Sequence, residues 1–314
     1  MKYDFTQARK CIETLDKRRF DRALLGSGDA FRHIVSLVPL LLHLNHPALP
    51  GYVEDAPAGI ADFTFSNYQQ NFLSKEHPEL VASVQSAVNS DAVFAPILGI
   101  YVMGSFGSIS QTSASDLDIW ICHQDDLSEQ AQQRLAEKTK KISQWASTYH
   151  VEMHFYLMTQ KRFRNERYSD PLTKENSGSA QYMLLLEEFY RSAVRLSGKP
   201  LLWLHLWVED EKQYEAEVAR LVAAGELNPN DWVDFGGLGQ FSASEYFGAS
   251  LWQLYKGIDS PYKSVMKILL LETYAQEYPN AHLIARQFKE DLLSGRSTAA
   301  HHFDPYIAIL ERIS

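Results

Sequence analysis

The sequence is organised around one stretch. An apolar, β-branched run, "APILGIYVMGS" (95–105), passes through the serine-rich "FGSISQTSAS" (106–115) into a second such run, "DLDIWIC" (116–122). Runs of this length bounded by small residues read as buried strands. Asp126 followed by Glu129 resembles a capping box. It opens a long helix on which Leu127, Ala131, Leu135, Ile142 and Trp145 recur at helical spacing. "VEMHFYLM" (151–158) is a third strand. Strand, strand, helix and strand within about sixty residues leave few options besides a small sheet covered by helices.

The rest of the chain is read around that unit. Residues 6–45 are mainly helical, with Pro39 expected to kink or end one segment. "NHPALPGYVEDAPAG" (45–59) is a connector, "IADFTFS" (60–66) a short strand and "PELVASVQSAV" (78–88) a helix. Beyond about residue 180 the pattern predicts helices only. "AQYMLLLEEFYRSAVRLSG" is expected to end at Gly198, and "YEAEVARLVAAG" at Gly225. Ser242 with Glu245 forms a second capping box, and Ser260-Pro261 reads as N-cap and N1 of another helix. The last segment, "DPYIAILERIS", stops with a helical pattern still running, as in a piece of a longer chain. The expected fold is α+β: a mostly helical segment over 1–94, a core with a small mixed β-sheet and flanking helices over 95–178, and a C-terminal helical domain over 179–314.

Composition narrows the function. With 314 residues, 45% hydrophobic and 22% charged, the chain has the balance of an ordinary globular protein. A net charge of −9 argues against nucleic acid as the partner, because such proteins carry basic surfaces. No apolar run approaches the roughly 20 residues of a membrane span, so membrane insertion is not expected. The charged N-terminus does not read as a secretory signal. Two cysteines, Cys11 and Cys122, leave no disulfide framework, and a cytoplasmic setting is expected.

Asp116 and Asp118 are two apart on an expected strand, so alternation puts both on one face. Two such carboxylates repel each other, and a divalent cation resolves the conflict. Oxygen ligands suit Mg²⁺, which shares its coordination with substrate phosphates. Gly104-Ser105, just after a buried strand, has the form of a phosphate-binding turn. Glu152, on the next strand, is a candidate third carboxylate. Together these are the parts of a two-metal phosphoryl transfer site.

The motif "GS…SDLDIW", followed by a strand carboxylate, resembles the nucleotidyltransferase superfamily of DNA polymerase beta over roughly 95–160. A closer resemblance covers nearly the whole chain. "LLLHLNHPALPGY", "YVMGSFGSISQTSASDLDIWICH", "LLLEEFYRSAVRLSGK" and "EYFGASLWQLYKGIDSPYKSVMKILLLE" are similar to the catalytic N-terminal part of the class I adenylate cyclases of gammaproteobacteria. That resemblance implies conversion of ATP to 3′,5′-cyclic AMP and pyrophosphate with Mg²⁺, for which Mn²⁺ could substitute. Asp116, Asp118 and Glu152 would hold metal or take the proton. It also implies a regulatory C-terminal region, absent from this chain, through which protein partners would act.

Many superfamily members carry a basic residue soon after Gly-Ser, and here "FGSISQTSAS" has none. Cations must come from elsewhere. Lys263 and Lys267 share a helix face, and Lys263 lies in the first turn, where anions are favoured. Tyr262 is placed to reach ribose or phosphate, and Ser113 and Ser115 to line the path of the triphosphate. Arg195 belongs to a four-residue stripe with Arg191 and Lys199. Solvated helix faces are the competing reading for these cations. His43 and His46 have zinc-like spacing but no partners, His301-His302 reads as loop, and His154 shares the strand face of Glu152. The residues alone leave two further readings open, AMP transfer to an external acceptor and a non-catalytic nucleotide sensor.

Overall fold

The two apolar runs form the centre of a four-stranded mixed sheet. β1 (Ile97–Met103) and β2 (Leu117–His123) pair antiparallel. β3 (Met153–Met158) joins β2 in parallel, and β4 (Val194–Gly198) joins β1 antiparallel, giving the order β3-β2-β1-β4. Every residue of β1 is buried. A strand covered on both faces needs no polar alternation, hence its unbroken apolar sequence. This computed structural model describes residues 4–81, 95–113, 115–166, 182–239, 241–258, 260–294 and 303–314.

Helices α1 (Phe5–Leu25), α2 (Asp29–His43) and α3 (Asn67–Glu76) precede the sheet, and α4 (Glu129–Ser147) crosses from β2 to β3. After β3 come α5 (Gln160–Glu166) and α6 (Tyr182–Ser192). After β4 come α7 (Leu202–His205), α8 (Tyr214–Ala223), α9 (Ala243–Lys256), α10 (Pro261–Gln276), α11 (Ile284–Ser294) and α12 (Pro305–Ile313). The sheet separates two cores. Ile100, Val102, Ile119 and Ile121 pack toward α2 and α4. Tyr101, Trp120 and Cys122 pack toward α6 and the C-terminal helices, with Trp120 stacked on Phe189 at 4.1 Å. Among the described residues no helix is long and apolar enough to cross a membrane.

The α+β class and the helical C-terminal part match the expectation, but several elements differ. The stretch expected as one helix to Gly198 is α6 followed by β4. Its alternating end, Val194–Gly198, finds hydrogen-bonding partners along β1, and Gly198 at φ +86° lies against the Leu98 backbone where a Cβ would clash. Pro39 does not end α2, which runs on to His43. Its missing N–H costs about 3 kcal/mol in a helix interior. Each buried Val, Leu or Ile side chain around it returns roughly 1.5–3 kcal/mol. Seven of them, Ile34, Val35, Leu37, Val38, Leu40, Leu41 and Leu42, are buried there.

Residues 60–66 form no strand beyond a single bridge from Ile60 to Ile97. The cap of α4 is Ser128, whose Oγ accepts from the Ala131 N–H, and not Asp126. Ser242 caps α9 as expected, and the Glu245 carboxylate, which interacts back with Ser242, also accepts from the N–H groups of Met183 and Leu184. Ser260 stands at the N-cap of α10 without a side-chain bond. Residues 82–88 and His301-His302 lie outside the described residues.

Candidate active site

The carboxylates cluster where β2 and β3 begin. The parallel register sets Leu117 against Met153 and Asp118 against His154. The Leu117 N–H donates to the Glu152 carbonyl at 3.0 Å, so Asp116 and Glu152 flank the same end of the pair. Asp118 shares the face of Trp120, two residues on, which points to the α6 core. Burial, then the neighbouring Asp116, pushes the Asp118 carboxyl up to about 6. His154, Lys267 and a hydrogen bond from the Tyr156 hydroxyl at 3.3 Å pull the other way. The Tyr156 hydroxyl is itself raised by its burial and by Asp118. Glu152 is exposed, and its Oε1 lies 3.1 Å from His154 Nε2. Among the described residues no three His, Cys, Asp or Glu side chains are gathered tightly enough to hold a metal by themselves.

The turn after β1 is anchored from below. Gly104 has φ +85°, and a Cβ there would meet no atom within 4 Å, so the glycine serves the turn's backbone conformation and leaves its outer side open. Its N–H donates to Ser192 Oγ at 3.1 Å, and that hydroxyl donates to the Glu188 carbonyl at 2.6 Å. Ser105 is buried, and its carbonyl closes the turn by accepting from the N–H and Oγ of Ser108. Ser115 accepts from the Thr112 N–H at 3.0 Å. Ser113 is exposed at the loop tip.

The two lysines of α10 have different surroundings. Lys263 is partly buried and donates to Ser115 Oγ at 3.4 Å. Its pKa is lowered by burial, against the pull of Asp116 and Asp118. Burial opposes the charge of Lys267 too, yet its contact with Glu188 at 2.6 Å raises its pKa. Tyr262 is 87% exposed, out in solvent at the start of α10.

Arg195 is not brought to this cluster. It is paired with Tyr101 across β1 and β4, and its guanidinium bonds the Gly198 carbonyl at 3.0 Å and Glu13 of α1 at 3.1 Å. The expected stripe is broken with the helix that carried it: Arg191 is buried against Glu187 at 3.0 Å on α6, whereas Arg195 and Lys199 follow on and beyond β4. His43 accepts the Ile60 N–H and stacks on Phe63 at 3.9 Å. Burial lowers its pKa to about 4, which makes it a neutral packing residue.

Sequence reasoning missed Tyr156, Ser192 and Glu188. Tyr156 was detectable, since it lies four residues past Glu152 on the same strand face. Nothing local marks Ser192 or Glu188, whose roles depend on α6 passing beneath the turn.

Residues 4–204 match the adenylate cyclase NT domain, and residues 241–314 match the second domain of class-I adenylate cyclase. The chain is 66% identical over 319 residues to an adenylate cyclase of Haemophilus influenzae, covering 100% of this chain and 38% of the relative. It is 62% identical over 314 residues to one of Pasteurella multocida, with 99% and 37% covered. To that of Escherichia coli K12 it is 45% identical over 304 residues, with 96% and 35% covered. The chain therefore spans little more than a third of the length of these relatives. A crystal structure of a spectinomycin adenyltransferase from Enterococcus faecialis overlaps 79% of this chain and 91% of its own at 14% identity, with a TM-score of only 0.33. With both domain models matched and identities this high across its whole length, the chain belongs to the class I adenylate cyclase family.

Proposed function

We propose that this chain carries the catalytic centre of an adenylate cyclase, which turns ATP into 3′,5′-cyclic AMP and pyrophosphate with Mg²⁺. The observation that carries the reading is the Asp116–Asp118 pair on the mouth of β2, with the Asp118 carboxyl raised to about 6 by burial and by Asp116. The donor set fits a divalent cation. Two adjacent carboxylates would be relieved by it, and ligands beyond the pair would come from phosphate oxygens and water. When bound, Mg²⁺ or Mn²⁺ would lower the pKa of the ribose 3′-hydroxyl and neutralise the triphosphate.

The chain's own residues would do the rest. Asp116 and Asp118 hold the cation, with the Tyr156 hydroxyl fixing the Asp118 carboxylate. The open outer side of Gly104 would let a phosphate approach the turn closely, with Ser105 and the serines of the loop as the nearby polar groups. Lys263, next to Ser115, supplies the positive charge that the serine-rich loop lacks. The 3′-oxygen forms its bond to the α-phosphorus as the bond to pyrophosphate breaks, and the released proton passes to Glu152. Most of the rate gain would be positioning and charge stabilisation.

Cyclic AMP formation from ATP and Mg²⁺ by the wild-type chain, beside Asp116→Asn, is the test. Production lost in the variant alone is the expected result. A wild-type chain that binds Mg²⁺–ATP in calorimetry yet makes no cyclic AMP would overturn the assignment, and labelled AMP on an added acceptor would replace it with a transferase.

A further inference from the structure

Asp304 lies at the N-terminus of α12, far from the carboxylate pair in sequence, and is 2% exposed. Its two oxygens divide their work. Oδ1 caps α12, accepting from the N–H groups of Tyr306 at 3.0 Å and Ile307 at 3.3 Å. Oδ2 reaches across the molecule, accepting from the Ile109 N–H at 2.7 Å and from Arg22 of α1 at 3.1 Å. Ile109 belongs to the serine-rich loop between the Gly104 turn and Asp116. One buried carboxylate therefore joins the last helix, the first helix and the loop of the candidate site.

Among the described residues, the loop's other anchors lie mainly on α1, with Phe31 of α2 stacked on Phe106. Arg19 donates to the Phe106 carbonyl at 2.9 Å. Gln111 accepts from the Gly107 N–H at 2.7 Å and donates to the Ala23 carbonyl at 3.0 Å. Gly107, at φ +65°, approaches the Arg19 carbonyl so closely that a Cβ would collide with it. Most of the loop's side chains are small and polar, so apolar packing contributes little beyond buried Phe106. The charged acceptor at its centre is Asp304.

We propose that Asp304 is a positioning residue for the nucleotide site: it fixes the 105–113 loop, and through it the phosphate turn and Ser115, against α1 and α12. The proposal rests on the nucleotide-binding role given above to this loop. Tyr306, two residues on, is buried, and its hydroxyl pKa is raised by that burial, with Lys267 opposing and Glu188 and, more weakly, Asp116 adding. Movement of α12 would be transmitted directly to the loop, because Oδ1 and Oδ2 belong to one rigid carboxylate.

Asp304→Asn keeps the shape but can offer only one strong acceptor, so either the α12 cap or the Ile109 bond is lost. Arg22→Ala, at a partly exposed position, is the milder companion should the first variant unfold. Two readouts are needed: amide hydrogen exchange across 105–113, and the Kd for Mg²⁺–ATP by calorimetry. Loss of a buried bond to a charged acceptor should speed Ile109 exchange and weaken ATP binding by roughly tenfold or more in Asp304→Asn. A smaller change of the same sign is expected in Arg22→Ala, with exchange in β1 and β2 unaltered in both. Unchanged loop exchange in both variants would overturn the proposal. So would faster exchange with an unchanged Kd. Neither readout requires turnover, so absence of cyclic AMP formation would defeat the cyclase reading while leaving this test intact.

Discussion

Asp118→Asn should make the metal-free protein more stable while abolishing its chemistry. The Asp118 carboxyl has a pKa of about 6 in the fold against 3.8 for a free side chain, raised first by burial and then by Asp116. Because the folded value is the higher one, the folded state binds more protons than the unfolded state between the two. Stability therefore falls as pH rises from about 4 to 6 and stays lower above that. The interval corresponds to at most about 3 kcal/mol. Solvent screening at a partly exposed site reduces this, and we expect on the order of 1–2 kcal/mol. Asparagine is neutral at every pH, and its Oδ1 can still accept from Tyr156. In EDTA at pH 7.5 the variant should melt above wild type by a few degrees, at about 2–4 °C per kcal/mol for a protein of this size. The gap should close as pH falls through 6 toward 4. Millimolar Mg²⁺ with ATP should raise the melting point of wild type only, reversing the order. Scanning calorimetry over a pH series settles the matter. A variant less stable than wild type at pH 7.5 without metal, or a gap independent of pH, would refute the electrostatic account of this pair.

Other substitutions separate the roles of the cations. Lys263→Ala should raise the KM for ATP by roughly ten- to a hundredfold, the value of a charge-assisted contact, with little change in melting temperature; steady-state kinetics at saturating Mg²⁺ would show it. Arg195→Ala should leave KM and kcat unchanged, because its guanidinium is committed to Glu13 and Gly198 on the far side of β1. Glu187→Ala should destabilise by about 3–5 kcal/mol in urea denaturation, since it removes the hydrogen-bonded carboxylate of buried Arg191 and leaves only the more distant pull of Glu188. The loss extends further, as Glu187 also accepts from the Tyr274 hydroxyl and the Ala285 N–H.

The parts of the sheet legible in sequence are those whose residues carry their own signal. β1 shows its burial as an unbroken apolar run and β2 as one interrupted at Asp118; Asp116 and Asp118 stand out because carboxylates two apart at the start of such a run have no packing purpose. β4 was hidden because "VRLSG" continues an amphipathic helix without a break, and only the exposed hydrogen-bonding edge of β1 decides that it extends. The error carried a functional cost: reading one helix through 180–198 aligned Arg195 with Arg191 and Lys199 in one stripe and made Arg195 a candidate phosphate cation. Asp304 illustrates the opposite case. "DPY" announces a helix start, and α12 does start there, but nothing local to that motif reveals that the second oxygen of the cap serves a loop from the first half of the chain.

The same logic sorts the two lysines of α10, which sequence spacing treats as equals. Lys267 is held by Glu188, so its charge is already balanced within 2.6 Å and it acts on Asp118 only as a background field. Among the described residues Lys263 makes no salt bridge; it donates to the neutral Ser115 hydroxyl, and burial weakens its hold on the proton against the pull of Asp116 and Asp118. A cation in that condition gains most from an incoming anion, because the phosphate offsets a desolvation that Asp116 and Asp118 counter only in part. The backbone explains the difference. Ser192 ties the Gly104 turn to the Glu188 carbonyl, which keeps α6 beneath the turn and places the Glu188 carboxylate under Lys267, one helical turn away from Lys263. The arrangement that anchors the Gly104 turn thus also removes one lysine from competition and leaves the other, on the loop side, as the cation proposed above for the triphosphate.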